Sequence, residues 1–177
     1  TITANDSDRQ AIEWFGNQMD KTIAEIADQF EKFRISDALH LVYKLIWDDF
    51  CAWYLEAVKP AFGQPISKEV YDRTIAFFEE LMKLLHPFMP FITEEIYANI
   101  TDRPLGEVLL TKAWPEIRNY GFEEATREME WVCSVISEIR SVRADLNVPP
   151  ASQIPLVVVN ASAETKAWVE ANSDLLK

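Results

Sequence analysis

The stretch SDRQAIEWFGNQMDKTIAEIADQFEKF, residues 7–33, decides the fold. Ser7, followed three residues later by Gln10, matches a capping box and predicts the start of a helix. Apolar residues then recur at spacings of 3, 4, 4, 3, 4 and 3, the period of an amphipathic helix. They are Ile12, Phe15, Met19, Ile23, Ile26, Phe30 and Phe33. About 26 helical residues make a rod of roughly 40 Å, which must pack against partner helices.

Two more long helices are predicted downstream. Ser36 is expected to cap a second helix that runs to about Val58, and Ser67 begins a third that runs to about His86. The third helix carries two apolar stripes, which implies burial on two sides. The inner stripe of the second helix is predicted to be Leu39, Val42, Ile46, Phe50, Trp53 and Ala57.

Prolines divide the rest of the bundle. Pro87 and Pro90 force a turn, after which Thr93-Glu94-Glu95 is expected to place acids in the first turn of a short helix, where they suit its dipole. Residues 101–121 have the composition of a loop. A last long helix is predicted from 122 to 147, before two consecutive prolines.

The C-terminal residues have a different pattern. The β-branched run 154–159 predicts a strand, and 162–177 predicts a helix. One strand is not stable alone, so these residues are expected to begin a small α/β appendage. The predicted fold is therefore all-α, a bundle of four to five helices over residues 1–150, with the start of that appendage over 151–177.

Composition limits the function classes. The net charge of −12 excludes a generic nucleic-acid binder, because non-specific affinity depends on many Lys and Arg contacts to phosphate. Any nucleic-acid role must be local. The second helix, residues 34–59, has three basic and four acidic residues, a net −1, against three and seven, a net −4, over residues 5–33. It is the helix that repels RNA least.

Targeting signals and metal clusters are not evident. No apolar run approaches the length of a membrane span, and the first ten residues do not resemble a leader, so a soluble cytoplasmic protein is expected. The start at Thr1 suggests a fragment. Cys51 and Cys133 are expected to be buried reduced thiols, and with only His40 and His86 besides, no metal site is predicted.

Catalysis is not predicted from these residues. No Gly-rich phosphate loop, nucleophile elbow, His-Glu-x-x-His or Cys-x-x-Cys pattern occurs. The adjacent carboxylate pairs are expected to be solvated or capping groups, since neighbours on a helix do not share a face. Asp49 differs, because it lies between Ile46 and Trp53 on the predicted inner side, where a carboxylate needs a partner such as an arginine.

One line on the second helix mixes a cation with aromatic rings. At a 3.6-residue period it contains His40, Lys44, Trp47, Cys51 and Tyr54, with Asp48 beside it. Unpaired RNA bases stack on such rings. The alternative is that Trp47 and Tyr54 face a neighbouring helix as core. Arg140 and Arg143 share a face of the last long helix, where they either complement the helix dipole or contact RNA.

Four stretches resemble the anticodon-binding domain of class Ia aminoacyl-tRNA synthetases. The stretch WDDFCAWYLE at 47–56 is similar to a signature of that domain in the form that valyl enzymes have. The stretch LLHPFMPFITEEI at 84–96 resembles valyl, leucyl and isoleucyl members alike. The dipeptide WP at 114–115 follows at the expected distance. IRSVRADLNVPP at 139–150, with IPL at 154–156, again looks most like valyl enzymes. The resemblance covers about residues 30–160.

The resemblance implies a non-catalytic tRNA-binding module. Its parent would be a valyl-tRNA ligase that uses ATP and Mg in a catalytic domain, and clears misactivated threonine in an editing domain, both outside this sequence. The partners implied are the anticodon stem-loop of valine tRNA and those domains, in a monomer. Valine anticodons end in A and C, and a pocket that stacks these bases and contacts their Watson–Crick edges is expected. The residues expected to line the anticodon surface are Arg34, Lys44, Trp47, Asp48, Tyr54, Arg140 and Arg143.

Three alternatives stay open at this stage. The first is the same domain of an isoleucyl or leucyl enzyme. The second is a helical interaction scaffold without RNA binding, which the acidic charge would accommodate. The third is a helical enzyme that uses Asp49 or the Glu94-Glu95 pair as acid or base, although no oriented histidine or nucleophile accompanies them.

Overall fold

The chain folds into helices joined by ordered loops, as predicted for an all-α protein. The computed structural model describes residues 3–104, 106–121, 123–149, 151–173 and 175–176. It divides into two compact units, Thr1–Phe122 and Glu123–Lys177. None of the described helices is both long and apolar enough to cross a membrane.

Helix α1, Asp6–Glu31, begins before the predicted cap. The Asn5 side chain accepts a hydrogen bond from the Asp8 amide at 2.7 Å, and the Asp8 carboxylate accepts one from the Asn5 amide at 3.0 Å. This pair is a capping box placed two residues earlier than the one predicted at Ser7. The apolar face is as predicted in its centre, where Phe15, Met19 and Ile26 are buried.

The second helical segment is not the continuous α-helix that was predicted. Helix α2, Ile35–Lys44, begins with Arg34 at its N-cap rather than with Ser36. A π-helical stretch, Leu45–Tyr54, follows, and the short helix α3, Leu55–Val58, ends the segment. We call Leu45–Tyr54 the π segment. Its backbone bonds close to the fifth residue, so its turns are wider than those of an α-helix.

The wider turns change which side chains are buried. Val42 and Phe50 are buried as predicted, but Leu39 is exposed, and the other predicted stripe residues, Ile46, Trp53 and Ala57, are only partly buried. The buried stripe predicted for this segment from an α-helical period is therefore partly wrong. The residues actually buried along the segment are Ala38, Val42, Leu45, Phe50, Tyr54 and Val58.

An aromatic cluster occupies the core of the first unit. The Phe15 ring lies 5.3 Å from Phe50, 5.0 Å from Tyr54 and 5.0 Å from Phe77, between ring centroids. The Tyr54 hydroxyl shares a 2.9 Å hydrogen bond with the Thr74 hydroxyl, which satisfies its one polar atom. Pairs of aromatic rings at such distances add to the free energy of their burial. Phe15 therefore joins α1 to the π segment and to the helix that contains Phe77, α4, Lys68–Leu85.

Helix α4, Lys68–Leu85, begins with a Ser67 cap, as predicted. Helix α5, Pro90–Ile100, starts at Pro90 rather than at Thr93, so Glu94 and Glu95 do not occupy its first turn as expected. Instead the Glu94 carboxylate accepts hydrogen bonds from the Leu109 amide at 2.6 Å and the Leu110 amide at 3.3 Å. Glu94 therefore holds the following loop in place and does not interact with the dipole at the start of α5.

Side-chain contacts also hold other described residues of the loop, 101–104 and 106–121, in place. The Arg103 guanidinium lies 3.5 Å from the centroid of the Tyr97 ring and forms ion pairs with Glu79 and Glu107. The Asp20 carboxylate on α1 accepts a hydrogen bond from the Arg118 amide at 2.9 Å. The loop is therefore ordered although it has little regular structure.

The second unit contains helix α6, Glu123–Asp145, and helix α7, Ala163–Ala171, which is shorter than predicted. The Trp131 and Trp168 rings lie 5.6 Å apart. Within the described residues of this unit, 123–149, 151–173 and 175–176, no strand is formed, so the strand predicted at 154–159 is wrong. Its side chains are exposed, and a β-branched run without a neighbouring strand has no ladder to join.

We predict that Phe15→Ala lowers the free energy of unfolding of this chain by about 3 to 5 kcal/mol, because it removes a fully buried ring and leaves a cavity. The matched control is Phe62→Ala, since Phe62 is fully exposed. Urea unfolding followed by circular dichroism measures both. Equal losses for the two variants would contradict the central place given to Phe15.

Candidate nucleic-acid interface

An exposed pair of aromatic rings lies on α2 and the π segment. The Tyr43 and Trp47 rings are stacked, with centroids 6.2 Å apart and planes 11° apart. Tyr43 is 56% exposed and Trp47 is 62% exposed. Trp47 was predicted to lie on this surface, whereas Tyr43 was not selected. Its position four residues before Trp47 is the signal that would have identified it.

Charged side chains accompany the pair. Lys44 and Asp48 follow Tyr43 and Trp47 by one residue each, and both are exposed as predicted. His40 and Cys51 are exposed as well, so Cys51 is not the buried thiol that was expected. Its partial burial still raises the pKa of the Cys51 thiol above its usual value. We call the exposed surface of Tyr43, Lys44, Trp47 and Asp48 the aromatic face.

Tyr54 is not part of the aromatic face. Its exposed fraction is 0%, and its ring packs in the core against Phe15 and Phe77. Burial raises the pKa of the Tyr54 hydroxyl to about 12, while its hydrogen bond to Thr74 acts in the opposite direction. An α-helical period would place Tyr54 in line with Trp47, but the π segment turns it inward. The expectation that Tyr54 lines the surface is therefore wrong, and the core alternative applies to it.

Asp49 lies in the middle of the π segment and is partly buried. Within the described part of the chain its carboxylate forms no hydrogen bond and no ion pair, so the arginine partner predicted for it is not found there. Desolvation raises the pKa of Asp49 from 3.8 to about 6. The charge of Lys44 lowers this pKa, that of Asp48 raises it, and that of Lys21 on α1 lowers it. The carboxylate thus lies near two cations without bonding to either.

Arg34 lies at the turn that joins α1 to α2, and its side chain is exposed. The preceding residue, Phe33, has a φ of +57° and is 89% exposed. A left-handed backbone is unfavourable for a bulky side chain, so the turn is strained. Arg34 is about 20 Å from Trp47 along the helical segment, judged from 13 residues at about 1.5 Å each.

The remaining two predicted residues belong to the second unit. Arg140 is exposed, and Arg143 is partly buried and donates hydrogen bonds to the Pro149 carbonyl at 3.0 Å and the Ser152 carbonyl at 2.9 Å. Both line an open cleft of about 540 Å³ together with residues 175 and 176. Arg143 therefore joins the end of α6 to the residues that follow it. The aromatic face and these arginines lie in different compact units.

Comparison with known proteins gives a consistent assignment. Residues 13–158 match the family described as the anticodon-binding domain of tRNA ligases. A valine–tRNA ligase of Phocaeicola vulgatus is 48% identical over 154 residues, which cover 87% of this chain and 18% of that protein. A valine–tRNA ligase of Christiangramia forsetii is 42% identical over 160 residues, covering 90% and 18%. The valine–tRNA ligase of Rhizobium meliloti is 36% identical over 169 residues, covering 93% and 18%. The chain thus spans less than a fifth of the length of these relatives.

We predict that Asp49→Asn stabilises this chain at about pH 7.5 and has no effect at about pH 3.5. Because the folded pKa of Asp49 lies above the unfolded one, ionisation favours the unfolded state, and the penalty grows between pH 3.8 and about 6. A shift of this size corresponds to at most about 3 kcal/mol. Solvent screening at a partly exposed carboxylate reduces the expected gain to about 1 kcal/mol.

Thermal unfolding at the two pH values measures this difference. The control is Asp37→Asn, which makes the same charge change at an exposed position of α2 and should not stabilise the chain. A gain that is equal at both pH values, or that the control reproduces, would show that ionisation of Asp49 does not oppose folding.

Proposed function

Because this chain belongs to the anticodon-binding domain family of tRNA ligases, we propose that it recognises the anticodon of valine tRNA within a valine–tRNA ligase. The observation that carries the proposal is the exposed, stacked pair of Tyr43 and Trp47 beside Lys44. The stacked rings form an exposed apolar patch to which a flat aromatic group can bind. Unpaired bases of an RNA loop are such groups.

Each group of the aromatic face has a separate task in this proposal. Trp47, supported by Tyr43, stacks on an unpaired anticodon base. Lys44 contacts a backbone phosphate, and Asp48 accepts a hydrogen bond from a base edge. Arg34 extends the contact along α2. Arg140 and Arg143 are proposed as RNA contacts of the second unit by itself. Tyr54 acts behind this surface, since it packs the π segment onto Phe15.

The acidic charge of the chain is compatible with this local contact. At a net −12, the chain gains little from long-range attraction to RNA, so specific stacking has to supply more of the binding energy. A recogniser of this kind discriminates by contact with bases rather than by charge.

The proposal extends to the whole ligase. The valine–tRNA ligase would join valine to its tRNA with ATP and Mg bound in a catalytic domain outside this chain, and would act as a cytoplasmic monomer. This chain would supply recognition far from the reaction and no catalytic group. The relatives named valine–tRNA ligase favour valine over the isoleucyl and leucyl alternatives. Anticodon-loop transcripts of the three tRNAs discriminate between them, since the valine transcript should bind most tightly.

We predict that Tyr43→Ala and Trp47→Ala, made in the full-length ligase, each raise the Kd for valine tRNA by about 5- to 150-fold, the range of one lost base stack. Tyr71→Ala is the matched control, because Tyr71 is a similarly exposed tyrosine, at 49%, on α4. Filter binding measures the Kd, and valine-dependent exchange of pyrophosphate with ATP measures adenylate formation, which should not change. An unchanged Kd for both variants would rule out the aromatic face as the RNA surface.

A second prediction concerns the phosphate contact of Lys44. The plot of log K against log salt has a negative slope. Loss of one phosphate contact to single-stranded RNA should make this slope less steep by about 0.7. Lys44→Ala is expected to have this effect, whereas Lys68→Ala, at an exposed lysine of α4, should leave the slope unchanged. Titrations at four salt concentrations give the slope. Equal slopes for the wild type and Lys44→Ala would exclude this role for Lys44.

A further inference from the structure

Helix α1 ends in a Schellman motif that has an aromatic residue where glycine is usual. The Arg34 amide donates a hydrogen bond to the Gln29 carbonyl at 2.8 Å, and the Phe33 amide donates one to the Phe30 carbonyl at 3.0 Å. Phe33 occupies the position of this motif that needs a left-handed backbone, and its φ is +57°. Its ring is 89% exposed, so packing within the first unit does not offset the strain. A contact outside this chain would explain why the ring points outward at a strained position.

More exposed apolar side chains lie at the same end of the first unit. The Phe30 ring stacks on Phe88 at 6.2 Å and lies 5.9 Å from Trp114, between ring centroids. These contacts bring the end of α1 next to the turn between α4 and α5 and next to the loop that follows α5. The exposed side chains there, which we call the apolar end, are Phe33, Met89, Phe91 and Trp114.

The apolar end suits a protein surface better than RNA. Residues 86–93, HPFMPFIT, contain no Asp, Glu, Lys or Arg, although the whole chain has a net charge of −12. Phosphate affinity depends on many cations, and Arg34 beside Phe33 contributes one charge. The aromatic face differs, because its two rings stack on each other next to Lys44. The Phe91 ring is 90% exposed, so an apolar partner would remove most of it from water.

We propose that the apolar end packs against an apolar surface of another domain of the same ligase. This inference rests on the proposed function, which makes the chain a part of a valine–tRNA ligase. Because the chain spans less than a fifth of its relatives, about four fifths of such a ligase could supply the partner surface. Burial of apolar area is the main favourable term when one domain packs on another. The packing gained by Phe33 would then offset its strained backbone.

Photocrosslinking in the full-length ligase without tRNA tests this contact. p-Benzoylphenylalanine replaces Phe91 in one variant and Phe62 in the control, since both rings are almost fully exposed in this chain. Phe62 lies in the loop before α4, whose 18 residues, at about 1.5 Å each, separate that loop from the apolar end. The crosslink from position 91 is expected to reach ligase peptides outside the part that matches this chain, within one molecule. Its yield should be several-fold above the yield from position 62.

A second variant tests the part assigned to Phe33. Phe33→Gly suits the left-handed backbone, so α1 keeps its end while the ring is removed. In this background the crosslink yield from position 91 should fall several-fold, because the partner loses part of the surface on which it packs. Tyr71→Ala removes an exposed ring of α4 away from the apolar end and should leave the yield unchanged.

Each outcome decides the inference. Crosslinks from position 91 within one ligase molecule, reduced by Phe33→Gly but not by Tyr71→Ala, support it. A yield no higher than that from position 62, or one that Phe33→Gly leaves unchanged, would overturn it. A product with twice the mass of the ligase would also overturn it, since a second copy would be the occupant.

RNA is the remaining occupant that the experiment distinguishes. Crosslinks from position 91 to added valine tRNA, with none to protein, would overturn the inference in favour of RNA. The proposed function fails by a separate result, an unchanged Kd for valine tRNA in Tyr43→Ala and Trp47→Ala. Those two variants leave the apolar end intact, so each idea can fail without the other.

Discussion

The contact of Phe15 with Phe50 and Tyr54 is the constraint on which the rest of the first unit depends. Those two rings are four residues apart in the π segment, and both must face α1. Leu45, five residues before Phe50, must be buried too, since it is only 1% exposed. Spacings of five and four residues suit wide turns better than α-helical ones. The need to bury these three side chains therefore accounts for the π segment.

The same constraint determines the outer surface. With Leu45, Phe50 and Tyr54 turned inward, Trp47 and Asp48 face solvent, and Trp47 meets Tyr43 across one turn. Asp49 is left at the boundary between core and surface, where it loses solvent without gaining a partner. An acidic protein thereby acquires one surface on which an RNA base can stack next to a cation. The π segment thus departs from α-helical geometry at the surface that is proposed to bind RNA.

Much of the fold could be predicted from the sequence, because the helical period in α1 and α4 comes from core residues such as Phe15 and Phe77 that are indeed buried. The errors have physical causes. The π segment cannot be seen in a pattern analysed at a fixed period of 3.6 residues, so Tyr54 was expected at the surface and Ile46 in the core. The run 154–159 has strand propensity but no strand beside it. Three residues predicted for the surface, Lys44, Trp47 and Asp48, are exposed. Tyr43 was not predicted there, because its stacking on Trp47 is a property of the folded chain.

We propose that an RNA loop covers the aromatic face of α2 and the π segment. Hydroxyl-radical footprinting of the full-length ligase, with and without valine tRNA, tests it most directly by mass spectrometry of oxidised side chains. Oxidation of Tyr43 and Trp47 is expected to decrease on binding, while that of Tyr71, exposed on α4, should stay constant. Unchanged oxidation of Tyr43 and Trp47 at saturating tRNA would contradict it.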